Sequence, residues 1–379
     1  MLLLGLEPTA YSLKLKQCYR LFNSIKLNKI MSRTKAVLCG YYGMGNAGDE
    51  ALLVSLLQML PKSVTPIVLS GDPQATKKQY GVASCDRKST FAILNALKQS
   101  NAFIWGGGSL MQDATSMASP IYYAGLMALA QQRGLKTIAW AQGIGPLNKP
   151  LTRWLTKQTL LGCDAISVRD TASAELLSSW GINSVIAPDP VWAMASEPEI
   201  QFEDISKPVV AVILRSHPLL TTARLEIIIE ALQDFQTETS SHILLIPFQP
   251  DRDRAIAESI ATQLGHDTQI LSVSDPIKLK GLFKQVKMAI GMRLHSLIMA
   301  AAAGCNCFAL SYDPKVTRLM SEANLPGSEL VNLPQNAREL SQAWLKQYRR
   351  SGLSSVQIQS LVDRALIHQH LLSKVFNKN

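Results

Sequence analysis

The 379-residue sequence predicts an α/β protein: two domains of parallel sheet flanked by helices, then a helical C-terminal tail. Three observations predict it. Short apolar runs alternate with helical stretches, and each run ends in a Gly-rich or charged loop. A segment rich in Pro and Glu interrupts this alternation near the middle, after which it restarts. The length also suits two domains of about 100–200 residues each.

Taken in order, strand 36–42 precedes Gly43-Met44-Gly45-Asn46-Ala47-Gly48-Asp49-Glu50 and a helix over 51–60, closed by Pro61. Strand 66–70 ends at Gly71-Asp72-Pro73. Strand 102–105 runs into Gly106-Gly107-Gly108-Ser109, and the helix over 121–132 stops at Gly134. Strand 137–141 ends in Gln142-Gly143-Ile144-Gly145-Pro146. Strand 165–168 ends at Arg169-Asp170, where a helix over 171–180 begins, and 184–187 leads to Pro188-Asp189-Pro190. Residues 198–207 read as a linker between a domain at 33–197 and another at 208–335. In the second domain, strand 209–214 ends at Arg215 and a helix covers 221–235. Strand 242–248, helix 252–264, strand 269–273 and helix 276–284 follow. Strand 286–290 ends at Gly291-Met292-Arg293-Leu294-His295-Ser296 and an Ala-rich helix. Strand 307–310 ends at Ser311-Tyr312-Asp313-Pro314-Lys315. The tail, 336–379, has two helical stretches and is free to pack back across the first domain. Two Rossmann-like domains facing each other across a cleft are the simplest arrangement.

Charge placement narrows the function. Of the net +10, residues 1–35 carry +6 and residues 346–379 carry +5, leaving the body at −1. A nucleic-acid enzyme usually carries its basic stripe on the folded body, so no nucleic-acid partner is expected. The basic ends read as solvated tails or as loose attraction to an anionic membrane. Residues 1–32 read as a basic, disordered leader, or residues 1–30 as sequence ahead of a true start at Met31. No apolar run reaches the roughly 20 residues that span a bilayer, and the start lacks signal-peptide features. The six cysteines form no CxxC pair, a reduced cytoplasmic pattern without a metal site.

Gly43-x-Gly45-x-x-Gly48 matches the dinucleotide fingerprint in form, with Asp72 at the end of the next strand. Asp49 and Glu50 count against it, because two carboxylates at a helix N-terminus repel a pyrophosphate. Asn46 and Asp49 suit sugar hydroxyls or a general base better, unless Asp49 is simply a helix cap. Gly107 and Gly108 permit close backbone approach to a ligand, or form a plain turn. Arg169, Arg215, Arg293 and Lys315 all follow strand ends. Singly, each is a surface residue; four at matched positions in a near-neutral body describe a pocket for a small di- or trianion. His295 beside them supplies a proton donor.

These motifs, with Pro188-Asp189-Pro190-Val191-Trp192, together resemble the polysaccharide pyruvyl transferases of the CsaB type, over about residues 36–325. The resemblance implies a GT-B-like fold and an enzyme that transfers pyruvate from phosphoenolpyruvate to a sugar of a cell-surface polysaccharide precursor. Such an enzyme forms a pyruvate ketal and releases phosphate. It implies donor binding by Arg169, His295 and Lys315, with Arg215 and Arg293 beside them. His295 and Asp49 are the expected acid and base. Asn46, Asp49, Gly107, Gly108 and Gln142 are the expected acceptor contacts. Phosphoenolpyruvate is then a co-substrate, with no separate cofactor or metal, and the acceptor is a glycan or lipid-linked saccharide. The expected location is cytoplasmic, with or without contact to the inner membrane face. The alternatives are a GT-B glycosyltransferase using a nucleotide sugar, a nicotinamide-dependent oxidoreductase and a non-catalytic glycan-binding scaffold. Clustered arginines argue against the last, since a neutral sugar needs no such charge.

Overall fold

The computed structural model describes residues 34–114, 116–197 and 206–377. The basic leader and residues 198–205 of the expected linker lie outside the described residues. The first sheet has seven strands in the order β3-β2-β1-β4-β5-β6-β7. They are β1 Thr34–Cys39, β2 Val64–Ser70, β3 Ala83–Asp86, β4 Ala102–Trp105, β5 Lys136–Gln142, β6 Ala165–Val168 and β7 Val185–Ile186. The second sheet has six, in the order β10-β9-β8-β11-β12-β13. Its strands are β8 Val209–Ile213, β9 His242–Leu245, β10 Thr268–Ile270, β11 Met288–Gly291, β12 Asn306–Ser311 and β13 Gly327–Glu329. Pairing is parallel throughout; Val37 of β1, for example, sits between Ile67 and Phe103.

Helices cover both faces of each sheet, so central strands read as continuous apolar runs and are fully buried. The order reverses between β1 and β4 in one sheet and between β8 and β11 in the other. Crevices outside the carboxyl ends of strands open at such reversals, and the two reversals face each other. One apolar core joins the halves: Ala47, Ala51, Val191 and Trp192 pack with Leu279, Leu282, Leu297 and Ile298. Lys280, buried in that seam, donates from Nζ to the carbonyls of Val191, Trp192 and Met194 at 3.2, 3.0 and 2.5 Å.

The tail forms three helices where two were expected: the first, Ala337–Tyr348, packs on the helix Thr222–Thr239 of the second domain, and only the last two fold back toward the first. Helix Ser355–Ala365 packs near Pro190–Ala193, and helix Ile367–Asn377 docks on β6. His368 is fully buried between Ser167 Oγ (2.9 Å) and the Pro188 carbonyl (3.0 Å). Trp140 Nε1 donates to the His368 carbonyl at 3.2 Å.

The sequence reading passed over β3, β13 and the helices Pro73–Tyr80, Thr90–Lys98, Pro150–Leu161 and Pro314–Glu322. β3 is an edge strand of four residues, exposed at both ends and half-buried between, with no apolar run. The helix Pro150–Leu161 buries Thr152, Thr156 and Thr159, so its inner face does not look apolar in sequence. The hydrophilic helix Pro73–Tyr80 does carry its start signal, Asp72 as cap and Pro73 behind it.

Candidate active site

The facing crevices form one cleft of about 520 Å³ lined from both domains. The first domain contributes Asn46, Asp49, Gly108, Ser109 and Arg169; the second contributes Arg215, Arg252, Arg293, His295, Tyr312 and Lys315.

The glycine loop after β1 is built around its own carboxylates. Asn46, not Asp49, caps the helix Ala47–Met59: its Oδ1 accepts from Gly48 N at 3.1 Å, and its Nδ2 donates to Asp49 Oδ2 at 2.6 Å. Glu50 turns back and accepts from Gly43 N at 2.7 Å and Tyr80 OH at 2.8 Å. This leaves Asp49 over the cleft, near Gly108. Burial raises its pKa, and His295, Arg169 and Arg293 oppose the rise. A carboxyl moved up from the ordinary range is a better base near neutral pH. Asp72 is occupied in capping, accepting from Ala75 N at 2.9 Å.

At the centre lies a three-residue unit joining the domains. Arg169 Nη1 donates to Asp189 Oδ2 at 2.5 Å and lies 3.1 Å from His295 Nε2; its Nη2 donates to Ser109 Oγ at 3.2 Å. His295 Nε2 is 3.3 Å from the same Asp189 oxygen. Burial alone would raise the Asp189 pKa. The Arg169 guanidinium, His295 and the Val191 N–H outweigh that and hold the carboxyl well below its ordinary value. Asp189 is therefore a fixed anion on which Arg169 and His295 both rest. Its position in the Pro188-Asp189-Pro190 motif was visible in sequence, but it carried no assigned role there.

Gly143 makes room for this unit: a Cβ there would meet Ser109 Oγ at 3.0 Å and Arg169 Nε at 3.1 Å. Arg215 reaches the cleft from β8, donating from Nη1 to Tyr312 OH at 2.9 Å and stacking 5.1 Å from that ring. Its Nε is buried and has no hydrogen-bond partner among the described residues. Lys315 stands at the start of the helix Pro314–Glu322; burial lowers its pKa, opposed by Asp313 and Asp170.

Three expectations need correction. Gln142 is fully buried, its Nε2 donating to the carbonyls of Gly106 and Trp140, so it supports the loop from behind and does not line the cleft. Gly107 is also enclosed, with Leu52 against it. Arg293 borders the cleft, but its Nη2 is committed to Asp253 Oδ1 at 2.6 Å, and both side chains are buried. The sequence reading missed Arg252 and Tyr312 as lining residues. Arg252 sits in the first turn of the helix Pro250–Leu264, a position with no motif around it.

Comparison with known proteins follows the same outline. The family model described as polysaccharide pyruvyl transferase matches residues 46–314. No curated protein matches the sequence. Among solved structures, a UDP-N-acetylglucosamine 2-epimerase from Listeria monocytogenes superposes with a TM-score of 0.63 at 11% identity, covering 92% of this chain and 98% of that one. The MnaA–UDP complex from S. aureus gives 0.61 at 12% identity over 91% and 95%. A glycosyltransferase from Rickettsia africae gives 0.53 at 14% identity over 91% and 97%. At such identities the likeness is one of fold, and the fold is GT-B-like.

Proposed function

Since the chain belongs to the polysaccharide pyruvyl transferase family, we propose that it is a CsaB-type ketal pyruvyl transferase. In this reading it moves pyruvate from phosphoenolpyruvate to a sugar of a polysaccharide precursor. The observation that carries the reading is the convergence of Arg169, Arg215, Lys315 and His295 on one cleft with Asp49 opposite. Phosphoenolpyruvate carries a carboxylate and a phosphate, and this set offers them the Arg215 guanidinium, the Lys315 ammonium and the positive field of Arg169, which is itself held on Asp189 and Ser109.

The chemistry then proceeds as follows. The methylene carbon of the enol takes a proton from His295, leaving an oxocarbenium-like centre at the carbon that bears the phosphate. One sugar hydroxyl adds there and gives its proton to Asp49. The C–O bond to phosphate breaks, the electron pair leaving with phosphate, and a second sugar hydroxyl takes its place. That hydroxyl's proton restores His295, and the Asp49 proton leaves with inorganic phosphate. Arg169, Arg215 and Lys315 offset the charge that builds on the departing phosphate.

The test is a thermal-shift titration with phosphoenolpyruvate, nucleotide sugars and NAD, paired with phosphate release on addition of a glycan acceptor. A ligand bound only by the folded chain raises the melting temperature by mass action. Phosphoenolpyruvate alone is expected to stabilise, and His295→Ala is expected to keep that stabilisation while phosphate release stops. Stabilisation by a nucleotide sugar without phosphoenolpyruvate would instead make the chain a glycosyltransferase.

A further inference from the structure

The helix Pro150–Leu161 is built inside out. Its buried face holds Thr152, Thr156 and Thr159, at 0, 0 and 5% exposure, while Leu151, Trp154 and Leu161 stand 49, 57 and 54% exposed. The threonine hydroxyls are all accounted for, donating to Asp113 or to carbonyls one turn back. The exposed apolar residues recur at helical spacing along one outer stripe. The adjoining helix Ala118–Gln132 also exposes apolar residues at its start, with Met117 at its cap and Ile121 in its first turn 40 and 46% exposed. Asp113, in the loop ahead of the helix Ala118–Gln132, accepts from Asn148 N and Lys149 N at 2.8 Å each, just before the helix Pro150–Leu161.

Charge tells what this face meets. Between Asp113 and Asp164 the chain has 50 residues and no Asp or Glu, but Arg133, Lys136, Lys149, Arg153 and Lys157. Lys149 and Arg153 are exposed beside the apolar stripe. A tryptophan and leucines flanked by Lys149 and Arg153, in a stretch with no acidic residue between Asp113 and Asp164, match an interface of acyl chains under anionic headgroups. A protein partner of average surface would leave those cations uncompensated. No helix among the described residues is long and apolar enough to cross a membrane, so the contact is one that lies on the bilayer.

We propose that the outer face of the helices Ala118–Gln132 and Pro150–Leu161 docks on an anionic lipid bilayer. The position gives the docking a purpose, and this step rests on the proposed function. Ser116 and Ser119 line the cleft, and Met117 between them belongs to the apolar face. A saccharide carried on lipid would thus reach the cleft mouth while its anchor stays in the bilayer.

Full-length protein is sedimented with vesicles of equimolar phosphatidylglycerol and phosphatidylcholine, and with pure phosphatidylcholine vesicles. Binding is expected to the anionic vesicles, weakening as salt rises. The triple variant Leu151→Gln, Trp154→Gln, Leu161→Gln is expected to bind about tenfold less or weaker still. Its phosphoenolpyruvate-induced thermal shift should be unchanged, since the three side chains lie on the surface. Equal binding by variant and parent would overturn the proposal and assign any membrane contact elsewhere. So would absence of binding by the parent, or a parent dimer that the variant turns into a monomer, which would give the face to a second copy. A parent that binds vesicles but shows no shift with phosphoenolpyruvate would refute the proposed function and leave the docking face standing.

Discussion

Gly48 of the first domain lies against the imidazole of His295 in the second, so close that a Cβ on Gly48 would come 2.5 Å from His295 Nδ1. Gly48 sits in the first turn of a helix, where alanine is ordinarily the better residue by up to about 1 kcal/mol. The ring has little room to retreat, being held on its other edge by Arg169 and Asp189. Gly48→Ala should therefore fold as well as the parent and lower kcat by about 100-fold through a displaced His295. Steady-state phosphate release measures it; a kcat within a few-fold of the parent would show that the ring's position is not critical.

Asp189 bears on both stability and turnover. Replacing it by Asn keeps the shape but removes the charge under Arg169, which is 94% buried as a side chain. Leaving that cation unpaired should destabilise the fold by about 3–5 kcal/mol. Turnover should fall below detection because Arg169 and His295 lose their common anchor. Denaturant unfolding together with phosphate release separates the two effects. An active, fully stable Asp189→Asn would mean that the unit is held by other contacts.

Arg293 and Arg215 should behave differently, although both follow strand ends in the same sheet. Arg293→Ala strands the buried carboxylate of Asp253, which also accepts from Gln249 N, and should cost about 3–5 kcal/mol of stability. Arg215→Ala breaks a contact with Tyr312 at the cleft edge and should leave stability within about 1 kcal/mol. It should instead raise the KM for phosphoenolpyruvate about 10- to 100-fold, the loss of one charge-assisted hydrogen bond. Melting curves and KM for the two variants decide whether these roles are correctly divided.

Acid should loosen the tail through His368. Burial lowers its pKa to about 4, so the folded state holds the ring neutral. Its Nδ1 accepts from Ser167 Oγ, which itself accepts from Ala141 N, and its Nε2–H donates to the Pro188 carbonyl. Because the folded value lies below the unfolded value near 6.5, this stability is present above pH 6.5 and is lost as pH falls from there toward 4. The loss amounts to about 3 kcal/mol. His368→Gln should be less stable than the parent at pH 7 and nearly equal to it at pH 4. A gap of the same size at both pH values would rule out His368 as the titrating group.

Much of this was legible beforehand, and the reasons are physical. Parallel strands buried on both faces write themselves as apolar runs, so most of both sheets could be read directly. Loops at strand ends carry the cleft residues, which is why Arg169, Arg215, His295 and Lys315 could be picked from the sequence. Reading failed where a residue's partner comes from far along the chain. Asp253 claims Arg293 from 40 residues away, and nothing near Arg293 announces it. Asp189 carried no role between its two prolines, because its partners Arg169 and His295 lie 20 and 106 residues away in sequence. Gln142 was expected as an acceptor contact through the family resemblance, but its amide is used up on the Gly106 and Trp140 carbonyls.

The docking of His368 and Leu372 also sets an order of events during synthesis. The first sheet has all its strands once Val185–Ile186 is made, yet one of its faces is not closed. Trp140, Leu38 and Leu53 share a core with Leu372, and Trp140 Nε1 waits for the carbonyl of His368. Every strand and every cleft residue leaves the ribosome before that patch is covered. The half of the molecule translated first is thus the half completed last. A message cut short after Val316 would encode every residue lining the cleft, beside a first domain with an uncovered apolar wall.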